Sequence, residues 1–472
     1  MERLSAELVV VGAGPGGYAA AFYAADRGKK VLLVERDPLL GGVCLTRGCI
    51  PSKALIHATR LISEAEESSG RGIVFGKPTI NPGRLRSWKD SIVDKLAGGI
   101  RTLAETRGVR IVEGRGHFEG SQTLRVETPE GQRFIDFEHA IIAVGSRPSI
   151  PKAWDLGNPR VMTSTEALDV ESIPERLLVI GGGYIGMELG MVYAALGSEV
   201  VLVEALPSIL AGADPDLVRP VLRRAQEKFS GLHLETKVKQ LATKGKQIEV
   251  TTEHADGDKT DLYDRVLIAV GRQPGSDNMG LENTDVELDD KGFIKVDEKQ
   301  RTADPNIYAI GDVAGGVLLA HKATKEGRIA VESLLGETSA FEAVIPAVVF
   351  TDPEVAWCGL TEQEARERKI KVAIAKFPWG ASGRAVAVDR TDGLTKLVVE
   401  PETERILGMG IVGTGAGELI GEGVVLIEMG ATARDLAESV HPHPTLSETL
   451  MECAELFYGH ATHSVARKSA RN

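Results

Sequence analysis

The sequence predicts an α/β protein built on two doubly wound dinucleotide-binding domains, and three observations predict it. A strand-like run, Leu8 to Val11, is followed by GAGPGG (Gly12 to Gly17), an alanine-rich helix, and a second run, Val31 to Val34, that ends in Glu35. The same succession recurs at Leu177 to Ile180, GGGYIG (Gly181 to Gly186), and Val200 to Val203 ending in Glu204. Glycine is abundant, at 53 of 472 residues without a collagen-like period, which implies many tight turns or close backbone approaches.

A chain of 472 residues is too long for one hydrophobic core, so two to four domains are expected. Its 43% hydrophobic and 26% charged residues exclude a largely disordered or fibrous chain. The formal charge of −12, with no dense basic run, argues against nucleic-acid binding. Four cysteines are too few for a secreted disulfide scaffold and fit a reducing, cytoplasmic location. Leu8 to Ala25 carries no charge, yet glycines interrupt it and Glu2, Arg3 and Glu7 flank it, so neither a signal peptide nor a membrane span is expected there or elsewhere.

In each glycine loop the first glycine (Gly12, Gly181) allows the turn. The second (Gly14, Gly183) lets backbone approach a pyrophosphate at a helix N-terminus, and the third (Gly17, Gly186) lets helix pack on strand. The acid that bonds ribose hydroxyls, Glu35 or Glu204, lies 23 residues after the first glycine in both copies. IIAVGSRP (Ile141 to Pro148, with Gly145) and LIAVGRQP (Leu267 to Pro274, with Gly271) extend the duplication. From Gly12 to Gly145 is 133 residues and from Gly181 to Gly271 is 90, so the first copy holds 43 extra residues, expected after Glu35. Glu204 accepts the 2′-hydroxyl of NAD and repels the 2′-phosphate of NADP, and Ala205, Leu206 and Pro207 supply no cation. Arg219, Arg223 and Arg224 read as a solvated helix face.

GGVCLTRGCIPSK places Cys44 and Cys49 five apart in a stretch that Ala54 to Ala65 continues as a helix. Only His57 is near enough to add a ligand, so no metal is expected. The two thiols can close a strained disulfide across one helical turn, with Gly48 and Pro51 shaping the backbone. Beside the flavin that the first unit implies, such a pair can pass two electrons; the competing reading is an inert buried pair. At the other end of the chain, Pro442 and Pro444 fix a loop before a helix read over Ser447 to Tyr458. There Thr445 and Glu448 have capping-box spacing, so Glu448 could serve only its own helix.

Beyond these motifs the chain carries AIGDVAG (Ala309 to Gly315), LAHKA (Leu319 to Ala323), IPAVVFTDPEVAWCGLT (Ile345 to Thr361), FPWGASGRA (Phe377 to Ala385) and HPHPTLSE (His441 to Glu448). From about Glu7 to Ser464 it resembles the dihydrolipoyl dehydrogenase family of the disulfide-containing flavoprotein reductases. The resemblance implies a glutathione-reductase-like fold with an FAD domain (1–148), an NAD domain (149–272), a central segment completing the FAD site (273–343) and a C-terminal α+β interface domain (344–472). It implies Cys44 as the interchange thiol that meets lipoamide and Cys49 as the thiol under the flavin. Lys53 would lie near the flavin and pair with Glu188. Glu35, Gly116, Asp312 and Ala320 would hold FAD, and Val238 and Gly271 would line the NAD site with Glu204. His443 would abstract a dithiol proton while Glu448 orients its ring, the pair being supplied by the partner subunit of a homodimer. His441 is expected to be structural. The implied partners are lipoyl domains of 2-oxoacid dehydrogenase or glycine cleavage complexes.

The chain departs from the family pattern at Thr46-Arg47, Pro442 and Gly275, and the Arg47 cation beside the thiols would lower a thiolate pKa. Cys358 and Cys453 match no redox position and read as buried, inert thiols. The repeated βαβ units require parallel sheets, and from Arg467 the tail is basic, polar and expected to fray. Competing readings are a sister disulfide reductase using NADPH, which Glu204 opposes, mercuric reductase, for which Cys453 stands alone, and a flavin-loaded interaction subunit without turnover.

Overall fold

The computed structural model describes residues 2–255 and 257–465, so the expected frayed tail lies outside the described residues. The fold is a mixed α/β one, and the chain divides into two compact units. One comprises residues 1–155, 162–173 and 268–342, and the other 156–161, 174–267 and 343–472.

The first unit is organised by the apolar run that the sequence marks out. The strand Glu2–Val11 is longer than Leu8 to Val11 because its charged start pairs with the long strand Gly131–Ile142, Glu2 opposite Arg133. Its buried end, Leu8 to Val11, lies parallel to Val31–Glu35, which in turn pairs with Arg110–Glu113. Ile307–Ala309 joins the same sheet in parallel on Gly131–Ile142. All-parallel pairing fails on the other flank, where Arg115–Gly120, Thr123–Thr128 and Gly131–Ile142 form an antiparallel meander. Turns of a few residues at Ser121-Gln122 and Pro129-Glu130 cannot carry the crossover that parallel neighbours need. The surplus residues of the first copy form three helices, Gly42–Arg47, Cys49–Glu67 and Pro82–Thr106, between Val31–Glu35 and Arg110–Glu113.

The second unit repeats the plan with less between its strands. Arg176–Ile180 pairs in parallel with Glu199–Val203, which pairs with Gly231–His233, and a single helix, Pro215–Lys228, fills the connection. Here the antiparallel meander is a separate sheet of Lys237–Lys244, Gln247–His254 and Gly257–Tyr263. Residues 343–472 contribute a five-stranded antiparallel sheet with Ile406–Gly413 between Glu354–Gly359 and Leu394–Val399. Helices Ala416–Glu428 and Glu448–Tyr458 contribute to the core of Phe377, Trp379, Leu397, Ile411, Leu450 and Cys453 that covers it.

One buried charge cluster lies within this unit. Lys396 Nζ, 1% exposed, lies 2.6 Å from Asp214, 2.8 Å from Asp216 and 3.0 Å from Glu362, and Lys376 Nζ adds contacts of 2.7 and 3.1 Å to Asp216 and Glu362. Burial would raise Asp216 and Glu362, but hydrogen bonds from the two lysines outweigh it and hold both carboxyls below their ordinary values. Among the described residues these three acids are the one group with metal-ligand spacing, and ammonium groups already fill the space between them. No helix among the described residues is long and apolar enough to cross a membrane.

Candidate active site

The two glycine loops have matching backbones. Gly12 has φ +102° and Gly181 φ +109°. Gly14 caps the helix Pro15–Asp26 at φ −70°, ψ −179°, and Gly183 caps Tyr184–Leu196 at φ −72°, ψ −179°. A Cβ on Gly17 would lie 1.8 Å from Gly12 O, and one on Gly186 2.0 Å from Gly181 O. Both caps are glycine, so neither cap residue offers the first-turn N–H groups a side-chain acceptor.

The acids match as well. Glu35 accepts the Ala13 N–H at 2.6 Å and the Asp37 N–H at 3.0 Å, while Glu204 accepts the Gly182 N–H at 2.6 Å and the Leu206 N–H at 2.8 Å. A carboxylate has about four lone-pair sites, so each keeps capacity for a ribose hydroxyl. Bare backbone, helix-start N–H groups and a fixed acid fit a dinucleotide in both loops. Arg219 and Arg223 are exposed, as on a solvated face, whereas Arg224 is half-buried and pairs with Asp352 at 3.5 Å.

The remaining nucleotide-site positions are spread over several elements. Gly116 is buried in the strand Arg115–Gly120, where a Cβ would press to 3.2 Å on Val11 at the end of the first strand. Gly145 and Gly271 stand at the mouths of two short strands, Ser146–Pro148 and Arg272–Pro274, which pair antiparallel. Gly275 donates to Gly145 O at 2.9 Å, and its Cβ would stand 3.2 Å from two carbonyl oxygens, so glycine suits this departure from the family. Val238 is half-buried in Lys237–Lys244, and Ala320 opens the helix Ala320–Leu334. Asp312 lies in the turn Gly311–Ala314, its Oδ2 accepting the Ser146 hydroxyl. Arg272 donates from Nε to Ser146 Oγ at 2.7 Å and from Nη2 to Ser146 O at 2.8 Å. Ser146 and Arg272 are partners of Asp312 that sequence reasoning missed, although both stand inside the repeated AVG motifs.

The cysteines do not share a helix. Cys44 lies in Gly42–Arg47 and Cys49 begins Cys49–Glu67, with Gly48 between them at φ −146°, ψ −114°. A Cβ on Gly48 would lie 2.8 Å from Val43 O, so the break needs glycine. Cys44 is half-buried and Cys49 exposed. The thiols hydrogen-bond each other, and this bond first, then burial, raises the Cys44 pKa, while the Lys53 cation pulls it down. Arg47 does not play that part: its guanidinium is engaged by Asp37 Oδ2 at 2.6 Å. Tyr18, on the first glycine-loop helix, is close enough for the Cys44 charge to raise its pKa further after burial has done so. Cys358 and Cys453 are buried, and burial pushes each up to about 12.

Glu448 serves both of the roles that compete for it. Its Oε1 bonds His443 Nδ1 at 2.8 Å and its Oε2 accepts the Thr445 N–H at 2.7 Å. The reciprocal half of a capping box is replaced, since Thr445 Oγ1 turns to Pro442 O and Ser447 and the helix Glu448–Tyr458 has no side-chain cap from Ser447. Burial would raise Glu448, but the Thr445 N–H and the His443 ring outweigh it and lower its pKa. The His443 side chain is 72% exposed and that of Glu448 17%. The start of this helix is tied into the core by a buried relay: Trp379 Nε1 donates to Thr395 Oγ1 at 2.9 Å, Thr395 to Thr449 at 2.8 Å, and Thr449 to Leu446 O at 2.7 Å. His441 uses both ring nitrogens, on Ser439 O and Glu422, as a structural histidine would. In the second unit Glu188 is buried and accepts the Phe350 N–H at 3.0 Å.

Two dinucleotide-type loops, a thiol pair at a helix break and a histidine–carboxylate pair are the features of a dithiol redox protein. The chain belongs to the pyridine nucleotide-disulphide oxidoreductase family, whose model matches residues 6–327, and it is an oxidoreductase; the family's dimerisation domain matches 345–454 and supports a homodimer. Curated relatives named dihydrolipoyl dehydrogenase include those of Vibrio parahaemolyticus, 44% identical over 100% of this chain and 99% of the relative, and of Haloferax volcanii, 44% identical over 98% of each. That of Thermus scotoductus is 45% identical over 98% of this chain and 99% of its own. Among solved structures, the Cu(II) complex of the HOCl-induced flavoprotein disulfide reductase RclA from Escherichia coli aligns with a TM-score of 0.86 at 28% identity, over 96% of this chain and 99% of that one. LpdA from Mycobacterium tuberculosis aligns at 0.88 and 25% identity, over 97% and 99%.

Proposed function

We propose that the chain oxidises protein-bound dihydrolipoamide to lipoamide and reduces NAD, using Cys44, Cys49 and FAD. The observation that carries this reading is the hydrogen-bonded Cys44–Cys49 pair held across the Gly48 break. The glycine loop with Glu35 binds FAD and the loop with Glu204 binds NAD, the assignment supported by relatives over the whole chain. Bound FAD supplies the two-electron carrier between the dithiol and NAD.

His443 takes a proton from one substrate thiol, with its Nδ1–H held by Glu448. The substrate thiolate attacks Cys44 Sγ of the Cys44–Cys49 disulfide, forming a mixed disulfide and releasing Cys49 as a thiolate. The second substrate sulfur attacks the substrate sulfur of the mixed disulfide and closes lipoamide, and its proton passes to Cys44, which departs as a thiol. Two electrons have then moved from substrate to the cysteine pair. Lys53, whose charge already acts on Cys44, favours the anionic sulfurs. Asp312, Gly116 and Ala320 complete the FAD site, and Val238 and Gly271 the NAD site. The four-part division at 148, 272 and 343 is the arrangement we propose for these roles.

The His443–Glu448 pair acts on Cys44 of the other subunit in the homodimer, and the substrate arm belongs to a lipoyl domain of a 2-oxoacid dehydrogenase or glycine cleavage complex. The test is a mixed dimer of a Cys44→Ser subunit and a His443→Gln subunit, assayed for NADH formation with dihydrolipoamide. One of its two sites is intact if the site spans subunits, so about half the native activity is expected. No activity in the mixed dimer would place both residues in one subunit, and normal turnover by a Cys49→Ser enzyme would sink the disulfide scheme.

A further inference from the structure

Asp312 is a turn residue, and a turn of four residues does not hold a carboxylate in place by itself. Two side chains one helical turn apart grip both ends of this turn. Glu326 Oε2 accepts the Gly311 N–H at 2.7 Å, before Asp312, and Lys322 Nζ donates to Gly315 O at 2.9 Å, after it. The two are joined at 2.5 Å, with side chains only 8% and 5% exposed. The turn they grip is bounded by glycines of positive φ, Gly311 at +75° and Gly315 at +78°. Glycine takes positive φ without strain, so these two residues leave the turn free to move unless side chains hold it.

The helix that carries the pair is itself seated on the first glycine-loop helix. A Cβ on Gly16 would lie 2.9 Å from Ala323 O, and a Cβ on Gly327 2.8 Å from Gly16 O, so the two backbones touch. A rigid path therefore runs from the loop Gly12 to Gly17, through Ala323 and Gly327, to Lys322 and Glu326, and on to Asp312. A buried ion pair is costly unless further hydrogen bonds satisfy it, and here those bonds go to backbone on either side of one functional carboxylate.

We infer that Lys322 and Glu326 are positioning residues of the FAD site, clamping the Gly311–Gly315 turn so that Asp312 keeps a fixed distance from the pyrophosphate loop. The inference rests on the assignment of the first loop to FAD. Neither residue touches the cofactor in this scheme; both act through Asp312.

Apoenzyme is titrated with FAD by flavin fluorescence for the native chain, Glu326→Gln, Lys322→Met, Asp312→Asn and each clamp variant combined with Asp312→Asn, with thermal melts as a check on folding. Each clamp variant should weaken FAD binding roughly ten-fold, and the loss should shrink to within about two-fold once Asp312→Asn is present, because coupled residues are non-additive. Binding within two-fold of native in both clamp variants overturns the inference, as does an equal loss with and without Asp312. Failure of both variants to fold also overturns it, since the pair would then be a general core fastener. If the native apoenzyme takes up no FAD, it is the assignment of the first loop that fails.

Discussion

Replacing Glu448 by Gln removes a charge without changing shape, and the geometry says what that costs. Both partners of the carboxylate are donors: His443 Nδ1–H at 2.8 Å and the Thr445 N–H at 2.7 Å. A Gln side chain has one acceptor oxygen, so whichever donor keeps it, the other faces an NH2 group. The lost bond is charge-assisted and comes from a side chain only 17% exposed, which sets the loss at about 1.5–3 kcal/mol. His443 is largely exposed and water can replace part of it, so the lower end applies and kcat/KM for dihydrolipoamide should fall about ten- to thirty-fold. The assay separates the two halves of the reaction: NADH formation from dihydrolipoamide, and reduction of an artificial electron acceptor by NADH. Only the first needs His443, so only the first should slow. A Glu448→Gln enzyme within two-fold of native, or one slowed equally in both assays, would refute the reasoning.

Three further outcomes follow from the same geometry. Gly186→Ala drives a Cβ to 2.0 Å from Gly181 O, so the second loop must open; NAD affinity should fall by about two orders of magnitude while FAD content in the purified enzyme stays native. Glu204→Ala frees the Gly182 and Leu206 N–H groups and removes the charge that repels a 2′-phosphate, so the NAD to NADP preference in kcat/KM should narrow by about ten-fold or more. Lys396→Met strips the ammonium from three carboxylates and should cost about 3–5 kcal/mol of stability in denaturant melts at neutral pH. Asp216 and Glu362 have lowered pKa values in the fold, so the stability they confer is present at neutral pH and lost as pH falls through those values. The gap between native and Lys396→Met should therefore close on acidification, and a gap that widens would contradict the cluster's role.

The sequence by itself determined what depends on a few adjacent residues. Gly12, Gly14 and Gly17 and their counterparts Gly181, Gly183 and Gly186 announce themselves because a positive φ, a helix start and a carbonyl 2 Å from a would-be Cβ are local demands that only glycine meets. Glu35 and Glu204 follow at a set spacing because a strand and a helix have set lengths. The cysteine pair was legible for the same reason, though its helix break at Gly48 was not, since five-residue spacing is compatible with one continuous helix.

Tertiary structure alone decided where charges and hydroxyls found partners. Ser146 lies 166 residues from Asp312 and Arg272 lies 126 from Ser146, and no local pattern ties them together. Arg47, read as a cation for the thiols, is engaged by Asp37 at 2.6 Å, a pairing the sequence does not announce. The capping spacing at Thr445 and Glu448 was real but incomplete, and only the position of His443 shows that one carboxylate holds both ring and backbone. The antiparallel meanders were hidden likewise, because strand direction is set by how a connection closes in space. Backbone conformation is a short-range property of residue type, whereas hydrogen bonds and ion pairs are long-range in the chain and exist only once the chain has packed.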